Sequence, residues 1–266
     1  MITGKKIVLT GANSGIGLEV LKLLVKGDNK ILAVDLKTDV IDSTFDKAKV
    51  TSYVCDVSTP ENVDGIFAKA TEVLGDIDIF YANAGFPYYE LMDYVNWERI
   101  EKIFKVNTYS PIYTYQKFVE YKKGKPGHFV STISAMGQLG FPGYALYAAT
   151  KFAMEGWQQC MRYELPSNIK MTNVYPVATA TGFFKKGTED SGGVIKRKPF
   201  PVQKATTVAK KAVKGIEKGK KSVHPCFMFT LAKPLFRICP PIKSIYMSME
   251  KGKLVEFLES KKAANK

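Results

Sequence analysis

Tyr147 stands four residues before Lys151 and thirteen after Ser134, in and just ahead of the stretch "YALYAATK". Four residues make about one helical turn, so on a helix this phenol and ammonium share a face. A free phenol, with a pKa of about 10, is a poor proton donor or acceptor near neutrality. A nearby positive charge favours its ionised form, which brings it closer to the range where an acid–base catalyst works best. Tyr144, seven residues before Lys151, can reach the same face and competes for the role. Each residue also has a plainer reading: a packed aromatic, a solvated lysine, a turn serine. His128 and His224 are the only histidines, which leaves little material for an imidazole metal site or a Ser–His–Asp triad, and no metal is expected.

The elements that must hold these groups alternate. "KKIVLT" (5–10) reads as a buried strand, and the stretch from Gly15 reads as a helix with Ile16, Val20, Leu23 and Leu24 on one side. Strands follow at 30–35, 50–56, 77–85, 127–134 and 168–176. Helical stretches lie near 58–75, 96–122 and 144–165; the first opens on a serine or threonine cap with Pro60 in its first turn and ends at Gly75. Such alternation implies one doubly wound α/β domain, a parallel sheet covered by helices on both faces.

"TGANSGIG" (10–17) sits between the first strand and the first helix. Gly11, Gly15 and Gly17 permit a tight turn, close approach of a pyrophosphate and close helix–strand packing, with the helix N-terminus facing the phosphates. Asp35 closes the second strand, 18 residues beyond Gly17, roughly where a carboxylate meets the adenine ribose of NAD. With "CDV" (55–57), "NAG" (83–85), Asn107, Ser134 and Tyr147-x-x-x-Lys151 in register, residues 5–181 resemble the short-chain dehydrogenase/reductase family. The resemblance implies a Rossmann-like doubly wound sheet of about seven strands.

It also implies roles. Tyr147 is the general acid/base, Lys151 hydrogen-bonds the nicotinamide ribose and helps ionise the phenol, Ser134 holds the substrate oxygen, and Asn107 positions a water behind Lys151. Gly11, Asn13, Ser14, Gly15, Ile16 and Gly17 form the phosphate loop; Asp56 and Val57 meet adenine; Asn83, Ala84 and Gly85 line the cofactor. Pro176, Thr179 and Thr181 approach the carboxamide, although "PVATAT" places Val177 where the family usually has glycine. Asp35 would repel a 2′-phosphate, and Leu36 stands where NADP users often carry arginine, so NAD is expected; Lys37 leaves NADP as the alternative. The implied reaction is hydride transfer between NAD(H) and an apolar secondary alcohol or ketone, in a cleft lined by Met136, Leu139, Phe141, Phe183 and Phe184. A hydroxysteroid or bile acid suits it. An NADPH-dependent ketoreductase and a non-catalytic nucleotide sensor are the rival readings. Homodimers or homotetramers through the two long helices are implied as well.

The 266 residues are 45% hydrophobic and 24% charged, ordinary for a globular protein. Cys55, Cys160, Cys226 and Cys239 show no paired spacing, and with no signal-peptide pattern at Met1 a cytoplasmic setting with reduced thiols is expected. The net charge of +14 is carried wholly by residues 182–266, which hold 20 Lys/Arg against 6 Asp/Glu. A catalytic domain is expected over 1–224, with a substrate lid near 183–201. Beyond it, 225–266 forms a basic, apolar extension that packs on the cleft, on a second subunit or on a membrane surface. Its segment 225–249 is interrupted by cations and four prolines, so it suits peripheral rather than spanning membrane contact. No recognition motif accompanies the charge, and nucleic-acid binding is not expected.

Overall fold

In the computed structural model, which describes residues 1–183, 187–188, 195 and 200–264, strands and helices alternate as the hydrophobic runs predict. The strands are β1 (Lys6–Thr10), β2 (Lys30–Asp35), β3 (Val50–Val54), β4 (Ile79–Ala82), β5 (Gly127–Thr132) and β6 (Ile169–Val174); β1, β2 and β4 are apolar on both faces because helices cover both, whereas β3 at the edge is largely half-buried. A two-residue β7 (Thr179–Ala180) pairs with β8 (Gln203–Lys204), and β9 (Ser222–Val223) adds the seventh main-sheet strand. The main sheet runs β3-β2-β1-β4-β5-β6-β9, all parallel. Strand order reverses between β1 and β4, so the loops leaving these strands diverge and open a crevice at the sheet's carboxyl edge.

Helix α1 (Gly15–Leu24) covers one face together with a late helix, Ala205–Glu217, called α7 below; Val20, Leu21 and Leu24 share their core with Ala209, Ala212 and Ile216. A short α2 (Asp39–Thr44) follows β2. On the opposite face lie α3 (Pro60–Leu74), α5 (Ser110–Lys122) and α6 (Ala145–Glu164), where Phe67, Phe118 and Phe129 surround Phe80. Thr59 caps α3 through the Asn62 N–H, and Gly75 ends it in the left-handed conformation.

The helix expected over 96–122 is three pieces. Helix α4 (Trp97–Phe104) passes into a π-helical segment, Lys105–Tyr109, before α5 begins. Pro111 explains the break: it has no N–H for the carbonyl of Asn107, four residues earlier, and its ring crowds that carbonyl. Asn107 therefore sits on a widened turn, projecting toward the end of β4.

The proline-rich C-terminus is helical. Pro234 lies inside α8 (Phe227–Ile238), and Pro240 and Pro241 open α9 (Pro240–Ala264), a position where a missing N–H costs nothing. Both helices pack beside the crevice: Phe229 joins Ala135 and Leu139, while Leu254 and Phe257 join Tyr89, Tyr144 and Tyr147. Most of the expected lid over 183–201, including Phe184, falls outside the described residues.

Candidate active site

The crevice continues into a cavity of about 570 Å³ that crosses the carboxyl ends of β1, β2, β4, β5 and β6. Gly11, Ser14, Gly15, Ile16 and Gly17 floor one end. Close approach makes glycine obligatory here: a Cβ on Gly17 would lie 1.9 Å from the Gly11 carbonyl oxygen, and one on Gly11 2.9 Å from Ala84 Cα. Asn83 stitches this loop to β4, with Nδ2 donating to the carbonyls of Thr10 and Gly11 at 3.2 Å each. "NAG" therefore orders the sheet's edge, and Asn83, Ala84 and Gly85 also line the cavity. Asp56 and Val57 border it beside β3.

Asp35 is fixed at the end of β2, accepting the N–H of Asn13 on one oxygen at 2.9 Å and that of Leu36 on the other at 2.7 Å. Asn13 turns away from the cavity: its Oδ1 accepts from Val40 and Ile41 at the start of α2, and its Nδ2 donates to Asp39. The side chain of Asn13 thus joins the loop to α2, and only its backbone serves Asp35.

At the other end α6 brings Tyr147 and Lys151 onto one buried face, with Lys151 Nζ 5.7 Å from the centre of the Tyr147 ring. Gly137 permits this approach, since a Cβ there would lie 2.6 Å from the Lys151 carbonyl oxygen. The turn after β5 can then press against α6. Ser134 in that turn has φ 133° and ψ 153°, a conformation proper to glycine and costly for serine. Several bonds over-determine it: Ala135 N–H donates to the Pro176 carbonyl at 2.8 Å, and Met136 N–H donates to Ser134 Oγ at 3.1 Å. Ser134 also hydrogen-bonds the Tyr147 phenol.

Burial governs the ionisation of both catalytic candidates. It pushes the Tyr147 phenol up to about 12, a rise only partly opposed by the bond from Ser134. It pushes the Lys151 ammonium down to about 7. The expected easing of the phenol by its neighbouring cation is thus outweighed in the protein itself, because the same enclosure that brings the pair together removes water from both. Lys151 Nζ donates to the Thr132 carbonyl at 3.1 Å, leaving two N–H groups for another acceptor.

Asn107 lies behind this pair. Its Oδ1 accepts the Phe86 N–H at 3.0 Å, and its Nδ2 donates to the Phe86 carbonyl at 2.9 Å and to Thr150 Oγ1 at 3.2 Å. Both amide hydrogens are committed, so Asn107 is a clamp on the loop after β4 and does not border the cavity. That loop is held further by Arg99, which pairs with buried Glu90 at 2.7 Å and lies over the Tyr88 ring at 3.9 Å.

Pro176, Thr179 and Thr181 line the cavity, as does Val177, whose side chain packs with Phe141 and Phe229. Met136, Phe141 and Phe183 are on its walls; Leu139 is withdrawn into the core beside Cys226. Phe86, Tyr88, Phe200 and Phe229 also form walls; the sequence singles out none of them, although Phe86 directly follows "NAG", Phe200 falls in the expected lid and Phe229 in the extension expected to pack on the cleft. The donor set suits a dinucleotide: a glycine cradle at a helix N-terminus, a fixed carboxylate at the end of β2, and a buried ammonium near the far end.

The family model described as short chain dehydrogenase matches residues 5–192. Glycine betaine reductase ATRR of Emericella nidulans is 32% identical over 71% of the chain, although the match is only 15% of that longer protein. Human estradiol 17-beta-dehydrogenase 11 is 29% identical over 73% of the chain and 68% of the relative. Among solved structures, a short chain dehydrogenase/reductase from Burkholderia phymatum in complex with NAD superposes with a TM-score of 0.77 at 19% identity, covering 91% of this chain and 97% of that one. The 3-ketoacyl-(acyl-carrier-protein) reductase of Brucella melitensis complexed with NADH gives 0.72 at 23% identity, over 84% and 96%.

Proposed function

The chain belongs to the short-chain dehydrogenase family and is an NAD(P)-dependent oxidoreductase; from that premise we propose that it transfers a hydride between NAD(H) and an apolar secondary alcohol or ketone, of which a hydroxysteroid is the leading candidate. The convergence of Ser134, Tyr147 and Lys151 at one end of a cavity whose other end holds the glycine cradle and Asp35 carries this reading.

A nicotinamide held in this cavity would supply the hydride chemistry. The remaining work falls to this chain's side chains. Ser134 holds the substrate oxygen, and Tyr147 gives or takes the proton at that atom. Lys151 would offer its two spare N–H groups to the cofactor, whose positive charge would favour the phenolate that burial alone opposes. Asn107 keeps the Phe86 backbone, and so the Gly85 approach, in place.

Asp35 and Asp56 bring negative charge to the adenosine end, and Leu36 supplies no cation there, which supports NAD over NADP. An apolar substrate is supported by the walls Phe86, Tyr88, Phe141, Val177, Phe183 and Phe229. The likeness to an estradiol dehydrogenase favours a steroid-sized member of that class.

The test is a panel of hydroxysteroids and aliphatic alcohols, read by nicotinamide absorbance with NAD and with NADP. We expect turnover at least about tenfold faster with NAD, and Tyr147→Phe to lose about 10²–10⁴-fold in kcat while retaining NAD affinity. NAD binding without turnover on any substrate, or a Tyr147→Phe variant of near-parental activity, rejects the proposal.

A further inference from the structure

Helix α8 is apolar on two opposed sides. Phe229 and Phe236 face the molecule, Phe229 beside Ala135 and Leu139 and Phe236 stacked on Tyr246 at 5.5 Å. Facing outward, Phe227 is 69% exposed, Leu231 58% and Ile238 81%, with Met228 and Leu235 also exposed. At 100° per residue these five fall within an arc of about 100°. Helix α9 extends the stripe with exposed Ile242, Ile245 and Met249 at spacings of three and four. Isolated apolar residues on a surface need no explanation, but a stripe continuing through two helices marks a contact surface.

The charge around this stripe has one sign. Along the two helices from residue 227 to 249 there are three Lys/Arg and no Asp/Glu, and all three cations, Lys233, Arg237 and Lys243, are exposed. We propose that the α8–α9 face docks on an anionic lipid bilayer, its apolar side chains entering the headgroup boundary and its lysines and Arg237 meeting lipid phosphates and carboxylates. Among the described residues no helix is long and apolar enough to cross a membrane, so the contact is peripheral. A second copy of the chain fits less well: a two-fold contact through this face would set Lys233, Arg237 and Lys243 against the same three cations, with no carboxylate from 227–249 between them. Phe229 on the inner side of α8 lines the cavity, so the docked helix is also a wall of the site. Any benefit to an apolar substrate rests on the proposed activity; docking itself does not.

The test is flotation of the full chain with phosphatidylcholine vesicles with and without phosphatidylserine, at low and high salt. We expect co-flotation with the anionic vesicles, weakened at least about tenfold by high salt or by omitting phosphatidylserine. Leu231→Glu with Ile238→Glu should lose binding by at least about tenfold while melting temperature and NAD affinity stay unchanged, since both residues are exposed. Absence of the wild-type chain from the anionic vesicle fraction overturns the proposal, as does a doubly substituted chain that floats equally well. A non-floating wild type whose mass by light scattering falls on the same substitutions assigns the face to a second copy instead. Flotation reads no turnover, so its failure leaves the oxidoreductase reading intact, and an inactive chain that floats leaves docking intact.

Discussion

Lys151 and Tyr147 illustrate how one environment acts oppositely on two groups. Enclosure on α6 lowers the ammonium to about 7 and raises the phenol to about 12, because in each case it penalises the charged form. The lysine carries a stability consequence with a definite sign. Its folded pKa lies below the unfolded value, so the unfolded chain binds more protons between about pH 7 and pH 10.5, and stability contributed at this site rises across that window. Below pH 7 the full penalty is present. Lys151→Met should therefore be more stable than the parent at pH 6, by a few kcal/mol, with the advantage shrinking toward pH 10; urea unfolding at both pH values measures it. An unchanged difference between the two would mean that Lys151 folds charged at no cost.

At the scale of elements, the phosphate loop depends on backbone contact that no side chain can enter. Gly17 lies in the first turn of α1 with the Gly11 carbonyl and the Asn83 amide filling the volume of a Cβ. Gly17→Ala must push α1 away from β1 or break the Asn83 bridge. We expect loss of several kcal/mol of stability and at least about a hundredfold weaker NAD binding, seen in denaturant midpoints and cofactor fluorescence titration. Gly156 is a fair control, because a Cβ there meets nothing within 4 Å. The π-helical segment is likewise an element-level device: Pro111 breaks the ladder, and the widened turn delivers Asn107 to the Phe86 backbone.

Taken whole, the molecule closes its site with its C-terminal helices. Phe257 of α9 is 1% exposed and packs edge-on against Tyr89 at 4.8 Å, and Tyr89 in turn contacts Tyr144, the neighbour of Tyr147. Phe257→Ala should cost about 3–5 kcal/mol in thermal or chemical unfolding. It should also raise KM for an apolar substrate more than it lowers kcat, since α9 supports the wall without touching the reacting atoms. A variant with parental stability would show that α9 is only loosely attached.

Whatever depends on short-range periodicity is legible in the residues themselves. The strand–helix alternation, the glycine spacing at residues 11–17, Asp35 at the end of a strand and Tyr147 one turn before Lys151 are all set within a few residues of chain, and they carried the fold class and most of the cavity's lining. The tertiary structure alone decided what depends on distant segments meeting. Ser134's glycine-like backbone is held by Pro176 and the turn beyond it; Asn107's amide is taken by a loop twenty-one residues away; Phe229 and Val177 meet across the cavity. Prolines that read as interruptions open or sit within helices at the C-terminus. Ionisation belongs to the same class, because desolvation is set by how much of the folded chain surrounds a group, and a sequence fixes that only after the chain has closed upon itself.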